Sequence, residues 1–201
     1  MWRRELAAFT FEDDRLERAR GVLLDWNHEL HRDSPAAALY DAWRDALRDQ
    51  QRPSPTPDAG AAALADLAAS HEQALAAALD NLESSQGADW EAWRWGPRNS
   101  IAFEHPLWEG FDLPSVDRGG DRTTVNVARP GGGPSFREIL DFAEWDRSVA
   151  TSTPGQSGQP GSPNYGNLRQ MWADGEYFPL LYTRDAVESN AAHRLILRPD
   201  R

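Results

Sequence analysis

The chain has 201 residues, 40% of them hydrophobic, and a formal net charge of −11. This length supports one domain with a substantial core or two small domains, and the negative charge disfavours binding to nucleic-acid phosphates. All 21 basic residues are arginine, and cysteine is absent, which excludes disulfides, cysteine-based metal sites and a thiol nucleophile.

The N-terminus predicts no signal peptide in this chain. Arg3 and Arg4 are followed by acidic residues from Glu5 onward and not by a continuous apolar segment. No window of the sequence is long and apolar enough to cross a membrane. The cellular compartment is therefore left open by these residues.

The first part of the chain, from about residue 10 to 88, predicts helices. Apolar residues recur at helical spacing between Phe11 and Trp26. Ser34 and Pro35 are typical of an N-cap and a first helical position. A second apolar face follows, with charged residues opposite it, and a third helix runs from Ala61 until Gly87 ends it. The second face comprises Ala36, Tyr40, Trp43 and Leu47, and the charged side comprises Asp41, Arg44, Asp45 and Arg48. The third helix has an inward face of Leu64, Leu67, His71, Leu75, Ala78 and Leu82, and Gln51–Pro57 predicts a break before it.

The remainder, 89–201, predicts mainly antiparallel strands with short helices. Strands are expected at 123–127, at 148–151 and at 193–198, whereas 136–142 fits a strand or a helix. Met171 lies in a short helix, and 152–164 is an ordered loop. Since the tryptophan-rich segment 90–95 joins the two parts without a flexible linker, we expect one partial α+β domain over 1–201.

Histidine patterns do not predict a metal or catalytic site. His28 and His31 are three residues apart, whereas a zinc helix needs four and a third ligand, so they are expected at an exposed helix end. His71 lies on an apolar face and is expected in the core, and His193 is expected to be core or half-buried. Glu104 and His105 are adjacent on an extended segment, where neighbouring side chains point to opposite faces.

Glycine, aspartate and serine patterns predict turns. The segment around Asp117, Asp121 and Gly119–Gly120 lacks the ligand alternation of a calcium loop, and Gly131–Pro134 lacks the ending of a phosphate loop. Gly155–Gly158 is one residue short of a nucleophile elbow, so Ser157 is expected in a turn. These residues predict no catalytic, cofactor-binding or metal-binding side chain in this chain.

Several segments together resemble the penicillin acylase family of N-terminal-nucleophile amidohydrolases, in the C-terminal part of its large subunit. The matching segments run in the same order through the chain: 23–26, 33–43, 93–96, 103–107, 120–126, 133–137, 154–165, 171–177 and 193–199. Each is weak alone, and their order is specific. Asn99 departs from the pattern, because a histidine is common at this place, and 108–119 is irregular.

The resemblance implies a C-terminal portion of a four-layer αββα sandwich. The family hydrolyses acyl amides, such as β-lactam side chains or acyl-homoserine lactones. Its nucleophile is a serine freed at the start of the large subunit, whose own α-amine acts as base, with an oxyanion hole completed by an asparagine. None of these positions maps here: Ser189–Asn190, the one Ser-Asn pair, is followed by two alanines. The catalytic serine, the oxyanion asparagine and the family's calcium site are expected on an upstream part.

The chain is therefore interpreted as a C-terminal fragment or separately encoded piece of such an enzyme. It would act as scaffold and pocket wall, with the missing N-terminal part or a second chain as partner and no nucleic acid or membrane span. The family implies a periplasmic or extracellular location, and a stand-alone product would be cytoplasmic. The alternative is a non-enzymatic module that presents its nine tryptophans to ligands.

Overall fold

The computed structural model describes residues 2–50 and 61–198, with side chains from residue 65 onward in the second range. They form two compact units. The helical unit comprises the described residues within Met1–Ile101 and Asp117–Gly132, and the strand unit comprises those within Ala102–Val116 and Gly133–Arg201. Within the described residues, no helix is long and apolar enough to span a membrane. The prediction of one partial domain over 1–201 stays a prediction.

Four helices build the helical unit: α1 (Trp2–Ala7), α2 (Asp14–Asp25), α3 (Pro35–Asp49) and α4 (Ala61–Gln86). The sequence predicted α2, α3 and α4, but α1 was missed. The Asp13 carboxylate caps α2 by accepting from the backbone N–H groups of Arg15 at 2.7 Å and Leu16 at 3.3 Å. The Ser34 hydroxyl caps α3 by accepting from the Ala37 N–H at 3.1 Å, which confirms the predicted cap.

The core of this unit lies where α2, α3 and α4 present their apolar faces to one another. Trp43 of α3 and Leu75 of α4 are almost completely buried. The predicted inward face of α4 is confirmed at each position whose side chain is described. The buried residues are Leu67, His71, Leu75, Ala78 and Leu82. Burying one such large apolar side chain contributes about 1.5–3 kcal/mol, so this face holds α4 against its neighbours.

The apolar face of α3 is broader than predicted, because Leu39 and Ala42 are buried on it as well. Trp43 is buried, whereas Ala36, Tyr40 and Leu47 are half-buried against the core. Asp41 was placed on the charged side, and this was wrong: its side chain is buried beside Arg44 and Arg98. The predicted break at 51–57 lies outside the described residues. Gly87 follows the end of α4 with φ +92°, a backbone conformation that glycine adopts readily because it lacks a Cβ.

Five short strands lie among the described residues of the second part of the chain. β1 (Ile101–Phe103) pairs with β2 (Leu113–Val116), and a three-stranded antiparallel sheet has the order β3 (Phe136–Ile139), β4 (Val149–Ser152) and β5 (Phe178–Pro179). Phe136 pairs with Ser152 and Ile139 with Val149. The ambiguous segment 136–142 thus begins as a strand, β4 is confirmed, and Met171 lies in the predicted helix, α5 (Arg169–Asp174).

Two predicted strands are absent. The segment 123–127 forms turns, and 193–198 forms no strand, leaving Leu195 and Leu197 both 83% exposed. The helix α6 (Arg184–Asn190) precedes the latter segment and was not predicted. Outside the short strands the second part is mostly turns and bends, so the mixed α+β class is supported and the strand-rich description was too strong.

Candidate functional site

The predicted placement of the histidines is partly confirmed. His71 is 1% exposed, with its ring centroid 5.4 Å from that of Trp43 and its Nε2 3.7 Å from a Glu5 carboxylate oxygen. His28 and His31 are exposed, but they lie in the loop after α2 and not at a helix end. His193 is exposed, contrary to prediction, because the strand expected there does not form.

A network of two buried aspartates and two half-buried arginines lies in the helical unit. The Arg44 guanidinium donates to Asp121 at 2.7 Å and to Asp41 at 3.2 Å, and Arg98 reaches Asp41 at 3.3 Å. Burial raises the pKa of Asp41, with help from the Asp45 charge. Burial also opposes ionisation of Asp121, but hydrogen bonds from Arg44 and Thr123 outweigh it and lower the pKa of that carboxyl.

Further hydrogen bonds, from side chains to backbone carbonyls, hold the segment 117–132 in the helical unit. Trp95 Nε1 and the Asn99 amide each donate to the Gly120 carbonyl at 3.0 Å. The Arg118 guanidinium donates to the carbonyls of Arg129 at 2.8 Å and Gly132 at 3.0 Å. The Asp121 carboxylate accepts from the Arg44 guanidinium at 2.7 Å and from the Thr123 N–H at 2.6 Å, which supports the turn interpretation of the Asp- and Gly-rich segment. Among the residues described, no three His, Asp or Glu side chains are grouped to hold a metal ion.

The candidate site is a cavity of about 560 Å³ in the strand unit. Its volume falls within the range of small-molecule pockets. It lies between the segment after β1 and the glycine-rich loop 154–166, and apolar and polar groups share its lining. The lining residues are Phe103, Glu104, His105, Pro106, Leu113, Pro154, Gly155, Gln156, Ser157, Gly158 and Tyr165.

The loop wall of this cavity is built by backbone contacts. Ser157 N–H donates to the Asn164 carbonyl at 3.1 Å, and Leu168 N–H donates to the Pro154 carbonyl at 3.0 Å. At Gly155 a Cβ would lie 2.2 Å from the Asn164 carbonyl oxygen, so glycine is required for this close approach. The Tyr165 hydroxyl donates to the Phe111 carbonyl at 2.8 Å. These contacts within the chain therefore set the shape of the wall.

The geometry of His105 fixes how its imidazole can act. Nδ1 accepts from the backbone N–H groups of Leu107 at 3.3 Å and Trp108 at 3.2 Å, so the neutral ring carries its proton on Nε2. The ring also lies edge-on to Phe111, with centroids 5.2 Å apart. His105 and Glu104 both line the cavity, although their adjacency on an extended segment argued against a shared site.

Ser157 lies in the same cavity as a turn residue, as predicted. Its hydroxyl oxygen accepts from the Gln159 N–H at 3.1 Å. Ser189, the other serine considered, lies in α6 and donates to the Asp185 carbonyl at 2.8 Å. The signal for the cavity in the sequence was the pairing of a His-Pro segment with a glycine-rich loop, but spacing alone could not bring the two together.

Comparison with known proteins identifies the family. The profile of the family described as penicillin amidase matches residues 2–189. Acyl-homoserine lactone acylase QuiP of Pseudomonas fluorescens (strain Pf-5) is 31% identical over 80% of this chain, and QuiP of Pseudomonas syringae pv. syringae is 32% identical over 63%. Penicillin acylase 2 proenzyme of Pseudomonas sp. (strain SE83) is 28% identical over 87%.

The chain belongs to the penicillin amidase family. It spans only part of the curated relatives that it matches: 21% of the length of the P. fluorescens protein and 28% of that of the penicillin acylase 2 proenzyme. The predicted family is thereby confirmed.

Proposed function

We propose that this chain is the C-terminal region of a penicillin-acylase-type amidohydrolase acting on acyl amides, either β-lactam side chains or acyl-homoserine lactones. In that enzyme it serves as scaffold and pocket wall, while the catalytic centre belongs to another part. The observation that carries the proposal is the family match over 2–189 by a chain that spans about a fifth of its QuiP relative.

The described serines considered as nucleophiles support this division of roles. The Ser157 oxygen accepts a turn hydrogen bond, and the Ser189 hydroxyl caps a carbonyl of its own helix. An activated serine needs a base within hydrogen-bond reach, and neither contact provides one. We therefore assign the N-terminal serine, the oxyanion asparagine and a calcium site to the upstream part, and the four-layer αββα sandwich to the assembled enzyme.

A segment exchange tests the proposal. The homologous segment of the P. fluorescens QuiP is replaced by this chain, and hydrolysis of acyl-homoserine lactones and of a chromogenic phenylacetyl amide is measured. We expect the chimera to hydrolyse at least one substrate class, while QuiP lacking the segment does not. The purified chain alone should be inactive on both.

Two controls sharpen this experiment. A chimera that carries Ser189→Ala should keep its activity, because Ser189 lies in α6 and its hydroxyl donates to the Asp185 carbonyl of the same helix. Turnover by the purified chain that Ser157→Ala abolishes would overturn the scaffold assignment. A chimera that folds, shown by circular dichroism, but is inactive on every acyl amide tried would count against the proposed role as well.

A further inference from the structure

The cavity of the strand unit combines hydrogen-bond donors with apolar walls. Because Nδ1 of His105 is occupied by two backbone N–H groups, its Nε2–H is the donor that the ring can offer. The Ser157 oxygen accepts from Gln159 N–H, which leaves its O–H proton as a second donor. Phe103, Leu113 and Tyr165 supply apolar surface to the same cavity.

The charge of the lining selects the kind of acceptor. Within the described residues, Glu104 is the only carboxylate among those that line the cavity, and arginine is not among them. A ligand carboxylate would meet a like charge and would lose its hydration without a cation to replace it. A neutral carbonyl avoids both costs, since it needs only N–H or O–H donors.

We propose that this cavity binds a neutral acyl amide, with the ligand carbonyl oxygen accepting from His105 Nε2–H. The apolar part of the ligand packs against Phe103, Leu113 and Tyr165. The carboxylate form of the corresponding acid binds more weakly than the amide. The choice of acyl amides rests on the proposed function, whereas the preference for a neutral carbonyl rests on the lining of the cavity.

The test compares two ligands of nearly equal shape, phenylacetamide and phenylacetate, on the purified full chain at neutral pH. Binding is followed by ¹H–¹⁵N chemical-shift titration. We expect phenylacetamide to shift resonances of 103–106 and 154–158. Phenylacetate, whose carboxylate would face Glu104 with no arginine in the lining, should bind at least about 10-fold more weakly, which corresponds to about 1.4 kcal/mol. Equal affinities, or shifts confined to other residues, would overturn the proposal.

Variants of His105 separate donation from packing. His105→Phe keeps an aromatic ring and should weaken phenylacetamide binding about 10-fold, whereas His105→Gln keeps a side-chain N–H and should retain most of the affinity. His193→Phe, at an exposed histidine, is the control and should leave binding unchanged. Unchanged affinity in His105→Phe, with a folded spectrum, contradicts the assignment.

A second measurement on the wild type does not depend on any variant. Long-range ¹H–¹⁵N spectra of the imidazole should place the His105 proton on Nε2. A proton on Nδ1 overturns the donor assignment. Because neither measurement requires turnover, their failure is distinguishable from failure of the segment exchange that tests the proposed function.

Discussion

Charged residues in the helical unit are ordered by their partners more than by their helical position. Asp41 was expected among exposed charges on α3, but Arg44 and Arg98 compensate its burial. Sequence periodicity along one helix cannot reveal Arg98, which lies 57 residues further along the chain. Buried carboxylates need such pairing to offset their desolvation, so their positions become apparent only when the tertiary contacts are known.

Glu17 gives a test of these pairings through pH. The Glu17 carboxylate accepts from the Arg20 guanidinium at 2.8 Å and from the Phe11 N–H at 3.1 Å. Arg20 first, and then Phe11, lowers the pKa of Glu17 from 4.5 to about 2. Because the folded pKa is depressed, the stabilisation is fully present above pH 4.5 and is lost as pH falls towards 2.

Glu17→Gln should therefore reduce stability at neutral pH, and its difference from wild type should shrink as pH falls from 4.5 towards 2. Thermal unfolding across this range measures the effect. Glu12→Gln is the matched control, with the same charge change at an exposed residue before α2. A Glu17→Gln difference that stays constant with pH would show that the carboxylate is not engaged.

At the scale of elements, α2, α3 and α4 could be predicted from the sequence because their signals are local. Caps such as Ser34, apolar spacing and the Gly87 terminus all lie within or next to the helix that they define. Two predicted strands do not form, for reasons that lie outside the local sequence pattern. At 123–127 the Asp121 carboxylate accepts from the Thr123 N–H at 2.6 Å, and Thr124 Oγ1 donates to the Asn126 carbonyl at 2.8 Å, so side chains take the place of a ladder partner.

The C-terminal segment shows that a strand-like sequence pattern cannot reveal whether a pairing partner exists. In residues 193–198 an extended chain would place Leu195 and Leu197 on one face, as expected for a strand. A strand also requires a partner, however, and the segment is paired with none of the described strands. The candidate cavity could not be predicted either, since it requires the segment after β1 to meet a loop about 50 residues later. What the sequence did predict there was the turn character of Gly155–Gly158.

The loop wall of the cavity gives a second prediction. Gly155→Ala would place a Cβ 2.2 Å from the Asn164 carbonyl oxygen and 2.6 Å from that of Tyr165. The backbone must then shift, at a cost of about 1–3 kcal/mol in the free energy of unfolding. Gly158→Ala, in the same loop with nothing within 4 Å, should change it by less than about 0.5 kcal/mol. Urea unfolding measures both, and equal effects would contradict the close packing at Gly155.

At the scale of the whole molecule, the exposed apolar surface predicts self-association. β3 is an edge strand of its sheet, and Phe136 is 49% and Ile139 57% exposed on it. Exposed edges and apolar patches favour pairing between chains. Ile139→Lys should shift the chain towards monomer in sedimentation velocity, whereas Val125→Lys, an equal charge change at a fully exposed residue of the helical unit, should not. A wild-type monomer at every concentration would contradict this prediction.

The nine tryptophans decide between a scaffold and a module that displays aromatic surfaces. Five are at most 8% exposed, namely Trp26, Trp43, Trp93, Trp95 and Trp172, whereas Trp108 is 61% and Trp145 44% exposed. A scaffold places such large apolar side chains in its core, while a stacking surface needs them accessible. This burial favours the scaffold over the binding module. It predicts that the tryptophan fluorescence is blue-shifted and that iodide quenches only a minor part of it.

Paired substitutions locate that quenchable part. Trp108→Phe with Trp145→Phe should remove most of the iodide-sensitive emission and change the free energy of unfolding by less than about 1 kcal/mol, since neither side chain belongs to the buried core. Trp95→Phe should leave the quenchable part intact and lower stability by about 1 kcal/mol, because the 3.0 Å hydrogen bond to the Gly120 carbonyl is lost. Emission that is mostly quenchable in the wild type, or that a carbohydrate protects from iodide, would favour the binding module instead.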